Sequence, residues 1–137
     1  LYLEFYETPA TPDGPTRLWH RLLDSEDPVQ GRVATVNDEV VGFVHFFDHP
    51  DTWHHQTICY LADLHVDAPA RGMGIGRALI SEVACIAATN GSHSVYWHTQ
   101  QNNDVARVLY DKVTGGTNHF IVYELASTPV AQRFVVD

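Results

Sequence analysis

The chain has 137 residues, with 8 Lys+Arg against 17 Asp+Glu and a formal net charge of −9. That length supports one domain over residues 1–137 and leaves no room for two ordinary cores. Hydrophobic residues at 45% and charged residues at 18% give a globular rather than a disordered balance. The acidic excess argues against a nucleic-acid partner, whose phosphates need clustered Lys and Arg. Cys59 and Cys85 are too few for a disulfide framework, and their apolar settings read as reduced core residues. No run of about 18 apolar residues crosses a membrane and no basic-then-apolar leader is present, so no membrane partner is expected and the default compartment is the cytosol. The chain starts at Leu1 and its single methionine is Met73, so an N-terminal piece is expected to be missing.

Residues 9–15, with three prolines, read as a loop. Thr16 to Leu23 reads as a short helix with Leu18, Trp19, Leu22 and Leu23 on one stripe. The period then changes. Arg32–Val36, a turn at Asn37-Asp38-Glu39, and Val40–Phe47 predict a β-hairpin. Thr57 to Val66, apolar on both faces, predicts a central strand. A glycine-rich turn leads into a helix from about Gly74 to Thr89, with Ile75, Leu79, Val83 and Ile86 as the buried stripe. Ser94–Thr99 predicts a strand. Asn102 and Asn103 are N-cap candidates for a helix from Asp104 to about Val113. His119–Leu125 predicts a last strand, and the tail after Pro129, with Val130–Val136, is a candidate arm to a second copy. The order is an α/β pattern with antiparallel and parallel pairings.

The most informative stretch runs from Asp67 to Leu79 and contains Arg71-Gly72-Met73-Gly74-Ile75-Gly76-Arg77-Ala78. Glycines there let backbone approach a ligand. The first free N–H groups of the following helix favour an anion, with Arg71 and Arg77 adding charge; a pyrophosphate fits. A dinucleotide fingerprint fails because Arg77 or Leu79 stands where its third glycine belongs, and a Walker loop fails for want of Gly-Lys-Ser/Thr. A tight turn without a ligand leaves the glycines' cost unexplained.

Arg71-Gly-Met-Gly-Ile-Gly76 resembles the Arg/Gln-x-x-Gly-x-Gly/Ala acyl-CoA signature of the GNAT N-acetyltransferase superfamily. Gly42–Phe47, Tyr60–Val66 and Asn103–Tyr110 resemble the same family in order and spacing. The likeness spans roughly residues 17–125 and is nearest the spermidine/spermine-type and small amine or amino-acid acetyltransferase branch. It implies a GNAT fold, with a mixed, mostly antiparallel sheet flanked by helices. It also implies acetyl-CoA as co-substrate, held by main-chain groups of Leu64, His65 and Val66, by the turn from Arg71 to Ala78, and by Asn103 and Ala106. A homodimer is a further implication.

Acetyl transfer needs a neutral amine, although a primary amine is roughly 99.9% protonated near pH 7. It also needs a donor to the oxyanion, which strand N–H groups near Leu64 could supply, and a proton for the leaving thiolate. The resemblance gives that last role to Tyr110, seven residues after Asn103; periodicity alone reads a rim tyrosine. The family glutamate in the central strand is replaced by Ala62. Asp63 remains, expected by alternation on the face opposite position 62, and His45 is the other candidate base. Each has a bland reading, as a structural acceptor and as a satisfied half-buried histidine. No metal is expected, because His49, His54 and His55 share a loop with only Asp48 and Asp51. Trp53, Trp19 and Phe47 are candidate acceptor-pocket walls. Loop acids Asp24, Glu26, Asp48 and Asp51 suit a small cationic acceptor, a polyamine or an amino acid, with a protein lysine as a further option. The rival is an acyl-CoA-binding sensor without turnover.

Overall fold

Two apolar periods alternate along the chain, and they build one four-stranded sheet with helices on its faces. The computed structural model describes residues 13–125 and 127. In chain order these form α1 (Gly14–Leu23), β1 (Gln30–Val36), β2 (Glu39–Pro50), β3 (Thr57–Val66), a 3-10 turn (Ala68–Ala70), α2 (Ile75–Thr89), β4 (Val95–Tyr96) and α3 (Asp104–Thr114). The sheet order is β1-β2-β3-β4. β1–β2 and β2–β3 are antiparallel and β3–β4 is parallel, so the mixed, mostly antiparallel sheet is as expected. Asn37 and Asp38 carry φ of 50° and 65°, the left-handed pair that a tight hairpin turn requires.

The core lies on one sheet face. Val44 and Phe46 of β2 and Cys59 and Leu61 of β3 meet Leu79, Ile80, Val83 and Ala87 of α2, with Leu109 and Val113 of α3 packed beside them. Burial beside Asp48 pushes the Cys59 thiol up to about 12, so it is an inert core group.

Four expectations are corrected. α1 begins at Gly14, because Pro15 fits a first helical turn, and its apolar stripe is only partly covered, with Leu18 and Leu22 half-buried but Trp19 60% and Leu23 66% exposed. The strand expected over 94–99 shrinks to Val95–Tyr96. No strand forms over 119–125. That run has no ladder partner among the described residues, and Phe120, Ile121 and Tyr123 stay exposed. Cys85 is exposed rather than core. The candidate arm Val130–Val136 lies outside the described residues.

Leu79 of α2 is buried in the core against the sheet. Leu79→Ala is expected to lower unfolding free energy by about 2–5 kcal/mol in urea titrations. Val105→Ala, at a side chain 77% exposed, is expected to change it by less than about 0.5 kcal/mol.

Candidate active site

One extra residue in β3 sets the site. His45 pairs with Asp63 across the β2–β3 ladder, but the next residue, Phe46, pairs with Leu61, so Ala62 has no partner. This bulge slips the side-chain alternation by one. Cys59 and Leu61 face the core before it, and Leu64 and Val66 face the core after it. Strict alternation would have sent Asp63 to the face of Leu61; the bulge turns it to the face of His45. The alternation expected from sequence therefore does not apply at positions 62 and 63.

The sheet face away from α2 collects the polar groups. His45, 7% exposed, shares a hydrogen bond between Nδ1 and Asp63 Oδ2 at 2.9 Å. The two candidate bases are thus one pair. His65 Nε2 bonds Asp67 Oδ1 at 3.2 Å. Phe43 stacks on His65, with ring centroids 5.6 Å apart. Further along, Phe47, Tyr60, Tyr96 and His98 form a run of ring contacts, and His49 Nε2 bonds the Tyr96 hydroxyl at 2.8 Å.

β3 and β4 part company beside this face. They pair only at Cys59–Val95 and Tyr60–Tyr96. β4 stops there while β3 continues to Val66, so among the described residues Leu64, His65 and Val66 have an open backbone edge on that side. An open strand edge is a row of main-chain donors and acceptors that an extended ligand can pair with.

The glycine turn sits at the end of the same strand. Gly72 and Gly74 have φ of 79° and 83°, and no atom lies within 4 Å of where their Cβ would be. They supply left-handed backbone and empty space together. Gly76 differs. It lies inside α2, and a Cβ there would come 2.9 Å from Leu109 Cδ2, so it serves the close approach of α2 and α3. Gly74 is the N-cap of α2 and gives it no side-chain bond. The first helical bond runs from Ala78 N to Gly74 O, which leaves the N–H groups of Ile75, Gly76 and Arg77 without helical acceptors. Arg71 is partly committed, because its Nε donates to the Val66 carbonyl at 2.9 Å and ties the turn to β3. Met73 and Arg77 are exposed.

α3 frames the other side of the opening. Asn103 is its N-cap, accepting from Ala106 N at 3.4 Å. Tyr110 is half-buried, edge-on to Trp97 with centroids 5.4 Å apart, and burial pushes its phenol above the ordinary value of 10.0. Tyr110 is thus neither a fully wet rim residue nor a core one.

Of the three aromatics singled out as acceptor walls, Phe47 lies in the ring run on this face, while Trp19 and Trp53 are exposed. Trp53 is 91% exposed. Asp48 accepts from Asn90 and Ser92, Asp51 is bonded to two histidines, and Asp24 accepts from Glu26 N. Asp24, Asp48 and Asp51 are thus engaged in loop bonds.

An uncapped helix start is chemically suited to an anion such as a diphosphate, and a free strand edge to an amide-bearing chain. Gly74→Ala, placed at a left-handed φ, is expected to cost about 1–2 kcal/mol in ligand-free denaturation; an unchanged midpoint would show that the turn tolerates a side chain.

The chain is similar to known proteins in both sequence and fold. The family model described as "Acetyltransferase (GNAT) family" matches residues 1–115. The chain is 34% identical over 119 residues to the D-amino-acid N-acetyltransferase HPA3 of Saccharomyces cerevisiae, covering 85% of this chain and 74% of that one. Among solved structures, a ribosomal-protein-alanine N-acetyltransferase from Brucella melitensis superposes with TM-score 0.74 at 22% identity, over 93% of this chain and 88% of that one. An aminoglycoside acetyltransferase from a soil metagenome superposes with TM-score 0.76 at 19% identity, over 93% and 82%. With a family model spanning residues 1–115 of 137, the chain belongs to the GNAT acetyltransferase family and is an acetyl-CoA-dependent N-acetyltransferase.

Proposed function

We propose that this enzyme moves the acetyl group directly from acetyl-CoA to the α-amino group of a free amino acid, with both substrates bound together. The observation that carries the reading is the bulge at Ala62, which brings the His45–Asp63 pair and the open edge of β3 to one place. The 34% likeness to a D-amino-acid N-acetyltransferase supports an amino acid ahead of a polyamine or a protein lysine.

Each residue then has a task. Main-chain N–H groups of Ile75, Gly76 and Arg77, beside the open turn at Gly72, Met73 and Gly74, receive the diphosphate, and Arg71 and Ala78 close that turn around it. The edge of Leu64, His65 and Val66 pairs with the extended arm, with Asn103 and Ala106 on its far wall. Main-chain N–H near Leu64 meets the negative charge that develops on the acyl oxygen. His45 takes the proton from the amine at Nε2, and Asp63 accepts from Nδ1–H on the other side of the ring and holds the imidazole in place. Tyr110 returns a proton to the departing sulfur. With its phenol raised by burial, Tyr110 is protonated at neutral pH and can act as the positioned acid for the leaving thiolate. A thioester is already an activated acyl donor, so the transfer calls on no metal.

Cytoplasmic location fits the two free cysteines. The exposed run at Phe120, Ile121 and Tyr123 supports a second copy of the chain as partner.

Tyr110→Phe is expected to lower kcat by about 10²–10⁴-fold while the KM for acetyl-CoA stays within a few-fold. The alkaline limb of the wild-type kcat profile is expected above pH 10.0, because burial raises the phenol. A variant as fast as wild type would remove Tyr110 from the mechanism. In a thiol-release screen, D- and L-amino acids are expected to turn over faster than spermidine, an aminoglycoside or a histone-tail peptide; a polyamine leading the panel would overturn the acceptor assignment.

A further inference from the structure

His93 lies far along the chain from the β2–β3 loop, in the connection between α2 and β4, yet the fold sets it against that loop. Asp51 Oδ2 bonds His54 Nδ1 at 2.6 Å and His93 Nε2 at 2.8 Å. The three donor atoms all lie within 4.8 Å of one another. From this convergence we propose a metal-binding site, in which Asp51, His54 and His93 hold one divalent late-transition-metal ion and water completes its shell. Sequence spacing hides the site, because the loop by itself offers His49, His54 and His55 without the third partner.

The donor set and its spacing agree with such an ion. Two imidazoles and a carboxylate suit Ni²⁺, Cu²⁺ and Zn²⁺ rather than Mg²⁺ or Ca²⁺. With metal–ligand bonds of about 2.0–2.1 Å, neighbouring ligands lie about 2.9 Å apart at right angles and about 3.3 Å apart in a tetrahedron. The observed 2.6 and 2.8 Å are hydrogen-bond lengths, and an ion would widen them slightly to its own ligand spacing. Each imidazole would exchange its hydrogen bond to Asp51 for a bond to the ion.

The two segments that carry the ligands are pinned together without an ion. His93 N donates to the Thr57 carbonyl at 3.0 Å. Ser92 Oγ bonds both Thr57 Oγ1 and Asp48 Oδ1 at 2.7 Å. Asp51 Oδ1 accepts from Trp53 N at 2.9 Å, which orients the carboxylate. The His54 side chain is 52% exposed while Asp51 and His93 are 16% and 20% exposed, so an ion has an entry path past His54. The site lies at the Thr57 end of β3, and the glycine turn lies beyond the Val66 end, about 30 Å away along the strand. An ion there would clamp the β2–β3 loop to the α2–β4 connection and take no part in acetyl transfer.

Calorimetric titration of the untagged chain with Ni²⁺, repeated with Zn²⁺, tests this. One Ni²⁺ per chain is expected, with a rise in melting temperature and no change in acetyl-CoA affinity. His54→Ala and His93→Ala are each expected to weaken Ni²⁺ binding at least about tenfold, while His55→Ala and His98→Ala stay within about twofold of wild type. Circular dichroism of His54→Ala, an exposed site, guards against mistaking unfolding for ligand loss. Absence of saturable Ni²⁺ binding below about 1 mM, or equal affinity in all four variants, would overturn the site.

Discussion

Ala62 interrupts the β2–β3 ladder, and the two faces of the sheet take their chemistry from that interruption. Before it, Cys59 and Leu61 fill the core; after it, Leu64 and Val66 do. Had the alternation run on, Asp63 would have entered the apolar side, where an unpaired carboxylate costs several kcal/mol. With the bulge, Asp63 meets His45, and a nearly buried imidazole gains a hydrogen-bond partner. A bulge also bends its strand, and β3 and β4 stay paired only up to Tyr60–Tyr96.

The sheet divides its labour accordingly. The α2 face is apolar and carries the stability, through Phe46, Val44 and Val83. The other face carries histidines, tyrosines and aspartates in bonded pairs. Reacting groups placed there can exchange protons with ligands without opening the core. The turn from Arg71 to Gly74 stands at the end of this divided strand, with left-handed, open backbone at Gly72 and Gly74.

Much of this was legible in the sequence because it rests on local signals. The 3.6 period of α2, the Asn103 cap of α3 and the left-handed turn at Asn37–Asp38 each depend on a few neighbouring residues. The glycine turn was legible as a turn, though its glycines serve two ends, open left-handed backbone at Gly72 and Gly74 and helix contact at Gly76. What the sequence hid depends on pairing between distant segments. Nothing local marks Ala62 as unpaired, His45 as the partner of Asp63, or His93 as the neighbour of His54 and Asp51. The run 119–125 failed for the same reason: its residues favour a strand, but a strand needs an edge to pair with, and β4 is only Val95–Tyr96.

The placement of acetyl-CoA on main-chain amides is tested most directly by amide hydrogen exchange with and without a saturating amount of it. Slower exchange is expected at Ile75, Gly76 and Arg77 and along Leu64–Val66, with the β1–β2 hairpin turn unchanged. Tight binding that leaves those amides exchanging as fast as in the free chain would contradict the site.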